Sequence, residues 1–303
     1  MDSQNASINE TPEDPITVHG NAGDSVPHIS ADDFPTPAVK RRDAFTELMS
    51  KKTKLSHQNT NKRKFGPASS VSKRFDPRDG LGVYIEHPEK NPESRVVEYD
   101  DEFVVIRDKF PKASVHLLLL CRDPALYFEH PLELLSTSPT FLTKVKSRVE
   151  QLKTLAAAEL RRQYGLGSAS DEPYQRALEE LMSSPDPPSQ DEREGLLPQG
   201  RDWSKEIIAG VHTHPSMNHF HIHVLSRDMH SPCMKHKKHY LSFTTSFLVG
   251  LEDFPLEEGS VRFHPGAWPS WDMRCWRCGK NFGNKFAQLK EHLEGEFEQW
   301  IKE

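Results

Sequence analysis

The chain is 303 residues long, with 39 Lys and Arg against 45 Asp and Glu, a formal net charge of −6, 35% hydrophobic residues, 23 prolines and a mean hydropathy of −0.70. That length admits one large domain or two modest ones, and the composition excludes a single wholly packed domain. No apolar run approaches the roughly 18 residues of a membrane crossing, the first residues lack a signal peptide's pattern, and four cysteines are too few for a secreted disulfide scaffold; a soluble intracellular protein without membrane contact is expected.

Residues 1–39 hold seven acidic residues and no Lys or Arg, so they are expected to form a disordered acidic tail. Residues 40–74 reverse the balance, with eleven basic residues against two acidic ones, which fits a nuclear-import signal, a nucleic-acid-binding arm or a solubilising linker. Within them RDAFTELM spaces Phe45, Leu48 and Met49 as one face of a short helix. Order is expected from about residue 75. LGVYIEHP and FVVIRDKFPKASVHLLLLC carry apolar runs of strand length, the second broken by a turn from Asp108 to Lys112, and together they predict adjacent strands of a buried sheet. From Leu132 to Tyr164, apolar residues recur every three or four positions (Phe141, Leu142, Val145, Val149, Leu152, Leu155, Leu160), predicting one long amphipathic helix. Residues 165–200 read as a surface insertion containing a short helix, Tyr174 to Met182. The sheet resumes with EIIAGVHTH and HFHIHVLS, so the class is α+β.

His219, His221 and His223 alternate with Phe220, Ile222 and Val224, and the two-residue period of a strand puts the imidazoles on one face and the apolar side chains on the other. His212 and His214 precede them by a short turn, so at least four imidazoles are expected to converge. Half-exposed strand histidines would need no function. A transition-metal site is a second reading, with Asp228 as the nearby carboxylate. The pattern best suits nucleophilic catalysis: neutral imidazole attacks phosphorus, and neighbouring His and Lys cations stabilise the oxyanion.

HFHIHVL resembles the His-φ-His-φ-His-φ-φ signature of the histidine-triad superfamily. With GVHTHPSMNHFHIHVLS, DKFPKA, SPCMKHKKHY and CWRCGKNF, the resemblance narrows to the aprataxin family of histidine-triad DNA-adenylate hydrolases, over about residues 75–303. It breaks at the acidic insertion. The resemblance implies an antiparallel sheet with a long helix, in a catalytic domain over residues 75–250. It implies that His221 is the nucleophile on the AMP phosphorus, that His223 and His219 orient it and contact the phosphate, and that His212 is a second catalytic histidine. Ser216 and Lys235 would bind phosphate, Asp108 the ribose, and Lys112 the lesion. Phe110 would be the aromatic wedge against the DNA end, although from sequence a turn or core aromatic fits equally; stacking on a base is worth about 1–3 kcal/mol. His116, His236 and His239 receive no role. The implied substrate is adenylylated nicked or broken DNA, or an RNA–DNA junction, with AMP as product, no catalytic metal, and a nuclear location.

Near the C-terminus, Cys275-x2-Cys278 is followed after thirteen residues by His292, close to a zinc-finger spacing. Glu296, four residues on, shares a helical face with His292 and completes a structural zinc site in the manner of fungal members of the family; Glu294 and water are the other candidates for the fourth place. Residues 251–303 are therefore expected to form a zinc-finger module, with Trp276, Arg277, Lys280, Lys285 and Lys290 giving it a basic, aromatic side for DNA. Two other classes of function compete: a general hydrolase of small adenylylated molecules, and a non-catalytic scaffold that binds DNA ends.

Overall fold

The structure is a computed structural model that describes residues 76–303; the expected acidic tail, the basic arm and the RDAFTELM helix lie outside the described residues. Strands β1 (Val96–Tyr99), β2 (Phe103–Arg107), β3 (His116–Cys121), β4 (Ile207–His212), β5 (His221–Ser226) and β6 (Leu248–Gly250) form one antiparallel sheet in the order β1-β2-β3-β5-β4-β6. β2 to β5 are buried almost throughout, as continuous apolar runs covered on both faces must be. Among the described residues no helix is long and apolar enough to cross a membrane.

LGVYIEHP is a helix, α1 (Gly82–Glu86), and not the strand that its apolar run suggested. Leu81, Tyr84 and Ile85 fall at helical spacing and cover Val104, Ile106, Leu118 and Leu120 on one face of the sheet. The predicted long helix is two, α2 (Pro131–Thr137) and α3 (Pro139–Tyr164). Ser138 is extended at φ −118°, ψ 88°, as a residue before proline prefers, and Pro139 starts the new helix where its missing N–H costs nothing. The buried stripe of α3 runs through Val145, Val149, Leu152, Ala156 and Leu160 onto the other face, against Val105, Leu117, Leu119, Ile222 and Val224. Leu155 falls off that stripe and is 40% exposed.

The insertion contains α4 (Glu172–Met182) and α5 (Gln190–Leu196), neither with a described side chain that is fully buried. Its base is fixed by Asp171, which is fully buried and accepts from Arg201 N (2.6 Å), Trp203 Nε1 (2.6 Å) and Arg161 Nε (3.3 Å). Helix α6 (Lys237–Thr244) follows β5. The C-terminal segment adds a ribbon of β7 (Met273–Arg274) and β8 (Asn281–Gly283), then α7 (Phe286–Trp300). The end of α7 docks on the main core: Trp300 is 1% exposed, its indole donates to Glu206 (3.0 Å), and its carbonyl accepts from Arg201 (2.5 Å).

Candidate active site and metal centre

Register decides which histidines meet. His223 lies opposite Leu118 of β3 and Gly210 of β4, so His116, two residues before the first, and His212, two after the second, share its face. Ring centroids place His212 at 4.4 Å, His221 at 5.1 Å and His116 at 5.2 Å from His223. Phe243 of α6 packs edge-on against His223 (5.0 Å) and against His212 (4.7 Å), closing the cluster with an apolar wall. Gly210 is required here: a Cβ on it would lie 2.4 Å from the Val249 carbonyl oxygen.

The hydrogen bonds assign tautomers. The Lys112 amide donates to His116 Nδ1 (3.1 Å), so His116 carries its proton on Nε2 and donates to His223 Nδ1 (2.9 Å). His223 then holds its proton on Nε2, which is buried without a partner and is a donor awaiting an acceptor. His221 Nδ1 lies 2.8 Å from the His219 carbonyl oxygen and must donate to it, which leaves the Nε2 lone pair free for attack. His212 Nε2 is also buried and unpartnered. Burial depresses all four basicities: His116 to about 4, His212 to about 3 with the charge of His221 adding to it, and His221 and His223 downward. The cluster is neutral at pH 7 and nucleophilic without deprotonation.

His219 meets the cluster through its carbonyl. Its ring turns away onto Tyr127 (5.3 Å) and Phe128 (4.7 Å), and Gly82 lets α1 lie on it, since a Cβ there would stand 3.2 Å from its Cε1 and Nε2. His214, expected in the cluster, is exposed and 6.3 Å from Phe247. The fourth imidazole is instead His116, whose one sequence signal was its place as the polar first residue of an apolar strand. Asp228 is no ligand for the cluster: it is buried and accepts from Ser114 N (3.1 Å), Ser226 Oγ (2.6 Å) and His230 N (2.8 Å).

At the rim, Asp108 Oδ2 stands 3.6 Å from His116 Nε2 while Oδ1 caps the Phe110 amide at 2.6 Å. Asp108, His116 and His223 are close enough to hold a metal ion, but the relay already accounts for their spacing. Phe110 is 60% exposed, a turn aromatic and not a core one. The Lys112 ammonium bonds the Phe110 carbonyl, and burial lowers its basicity; it shares the mouth with Lys235, which is exposed. Ser216 is exposed, its carbonyl taken by Arg78 Nε (3.2 Å), and its hydroxyl has no hydrogen bond to the cluster. His236 is exposed and stacks edge-on with half-buried His239 (5.0 Å).

In the C-terminal segment, ligand atoms of Cys275, Cys278, His292 and Glu296 all lie within 4.8 Å of one another. His292 Nε2 is 3.2 Å from Cys278 Sγ and 3.2 Å from Glu296 Oε1. Two thiols, an imidazole and a carboxylate suit zinc, and in their ionised forms leave a net charge of −1 around it. Arg277 offsets that charge: its Nη1 donates to the other carboxylate oxygen of Glu296 at 2.6 Å and holds the carboxyl below its usual range. Glu294 faces His230 instead, at 3.1 Å, so it is not the fourth ligand. Arg277 and Trp276, expected to face DNA, turn inward; the Trp276 indole donates to the Asp228 carbonyl at 3.1 Å, while Lys280, Lys285 and Lys290 are exposed as expected, with Arg274 and Lys302 beside them in the segment.

Residues 244–299 match the family described as C2HE / C2H2 / C2HC zinc-binding finger, and residues 192–239 match the scavenger mRNA decapping enzyme C-terminal binding family. The chain is 36% identical over 224 residues to an aprataxin-like protein of Schizosaccharomyces pombe, covering 74% of this chain and 83% of that one. It is 32% identical to an aprataxin-like protein of Saccharomyces cerevisiae, covering 73% and 95%. Among solved structures it resembles an aprataxin ortholog in complex with DNA, with a TM-score of 0.58 and 35% identity over 74% of this chain and 96% of that one.

Proposed function

Because this chain belongs to the aprataxin family, we propose that it removes AMP from 5'-adenylylated DNA ends through a covalent AMP–histidine intermediate. The observation that carries this reading is the hydrogen bond from His221 Nδ1 to the His219 carbonyl, which aims an unprotonated Nε2 outward beside a donor, His223 Nε2–H. His221 Nε2 attacks the AMP phosphorus. The new N–P bond replaces the P–O bond to the DNA 5'-phosphate, which leaves with the electron pair and is already a good leaving group. Water then attacks the same phosphorus and gives up a proton to solvent as the N–P bond breaks and its pair returns to His221 Nε2. His223, Lys112 and Lys235 stabilise the charge on the phosphoryl oxygens, the part that a metal plays in other phosphoryl enzymes. A related structure holds DNA, and the exposed lysines of the finger support the same partner here. Zinc in the Cys275, Cys278, His292 and Glu296 site would be structural, and residues 40–74 would direct the protein to the nucleus.

The test is AMP release from a nicked duplex with one adenylylated 5' end, with mass spectrometry of the quenched protein. AMP and 5'-phosphate in equal amounts, with an adduct on His221, are expected. Turnover of small adenylylated molecules with no preference for DNA would replace this reading with the general hydrolase, and DNA binding without AMP release would replace it with the scaffold.

A further inference from the structure

Between the strands and α3 lies a cavity of about 330 Å³ whose lining reaches Asp108 and His116 at one end, within the roughly 300–1,000 Å³ of small-molecule sites. Its apolar walls are Val97, Leu117, Leu155 and Ala156. Leu155 is 40% exposed because nothing among the described residues covers it. Three cations line the rim. Arg95 is held by Glu93 (2.7 Å) and the Asp108 carbonyl (3.2 Å), and Lys109 by Glu93 (2.5 Å). Of the three, Arg107 alone makes no side-chain hydrogen bond or ion pair among the described residues, and Glu159 feels its charge only at a distance. The one nearby acid of α3, Glu159, already takes both Arg162 nitrogens at 2.7 Å. An apolar slot with one uncommitted guanidinium selects a flat apolar body bearing a single anionic group.

The end of this cavity nearest the histidines is made by His116 and the turn of Asp108, Lys109 and Pro111. The same turn continues to Lys112, whose amide fixes the His116 tautomer and, through it, that of His223. We propose that the cavity is a second ligand site, for a small aromatic monoanion seated against Arg107 and Leu155, and that its occupancy slows catalysis by shifting the Asp108–Lys112 turn. The effect on catalysis rests on the hydrolase reading above; the binding does not.

The zinc-loaded protein would be titrated with 1-anilinonaphthalene-8-sulfonate and with uncharged N-phenyl-1-naphthylamine, following fluorescence. One sulfonate probe per chain is expected. Leu155→Trp, which fills the slot from a solvent-facing helix position, should weaken it at least about tenfold. Leu155→Glu should do the same by repulsion, so the test survives if one variant folds poorly. Arg107→Gln should weaken the sulfonate about three- to tenfold and leave the neutral compound unchanged. Probe binding that is equal in the parent and both Leu155 variants would overturn the site. Saturating probe should lower kcat for AMP release in the parent and not in Leu155→Trp; unchanged kcat would overturn the coupling to the turn. A parent that releases no AMP would count against the hydrolase reading, while the fluorescence arm still decides the site.

Discussion

In the sheet, His116, His212, His221 and His223 are buried with Asp108 as the one carboxylate in reach, whereas His292 of the finger stands 3.2 Å from both a thiol sulfur and a carboxylate oxygen. Both sites offer an imidazole lone pair, in different settings. Desolvation keeps the sheet histidines free of a proton, since a proton would bring an uncompensated charge into the core. In the finger the imidazole is grouped with two thiols and a carboxylate, a donor set that a metal cation completes. One cluster is thus a set of buried bases, and the other is a set of metal ligands.

The largest effect should come from His221→Ala, which removes the proposed nucleophile: AMP release from adenylylated nicked DNA should fall at least about a thousandfold, with zinc content unchanged by atomic absorption. A joint loss of zinc and activity would mean that the two clusters are one unit. Next, Glu296→Ala should weaken zinc retention about 10- to 100-fold in competition with a chromophoric chelator. Glu296→His should keep the metal and Glu294→Ala should have little effect, while hydrolysis of a small adenylylated nucleotide stays within about twofold of the parent in all three.

Acid should separate the regions again. His116 and His212 titrate at about 4 and about 3 in the folded chain, against about 6.5 when unfolded. Below pH 6.5 the unfolded chain binds their protons first, so stability is full above 6.5 and is lost as pH falls toward 4, by about 1–3 kcal/mol for each. In urea unfolding at pH 7.5 and 5, His212→Asn should lose less stability than the parent; protonation of the zinc ligands is common to both and cancels. The smallest effect is expected for Arg277→Gln, which leaves the four ligands intact and should weaken zinc retention about tenfold, the low end for loss of a partner that orients a ligand.

The legible parts of this molecule were those set by near neighbours in the chain. The alternation in β5 placed His221 and His223, and the spacing of Cys275, Cys278, His292 and Glu296 placed four ligands, because a strand and one helical turn each impose their own period. Where pairing between distant strands decides, sequence was silent. His116 joins the cluster because β3 lies beside β5, a neighbour 107 residues away from His116 to His223. His214 looked like a member but sits where the chain turns outward. LGVYIEHP is too short for its period to tell a helix from a strand, and packing on Val104 and Ile106 settled it.

The docking of Trp300 bears on how the finger holds its metal. An isolated finger must spend much of its binding free energy on folding. Here α7 carries His292 and Glu296 with its far end anchored in the main core, and the knuckle is anchored too: the Trp276 amide donates to the Tyr240 hydroxyl (3.0 Å) and the Tyr240 hydroxyl to the Arg274 carbonyl (2.8 Å). If one donor lets go, the ion stays near others held by the same core, and recapture is an intramolecular event at high effective concentration. Both sides of the finger thus lean on the domain that carries the histidines.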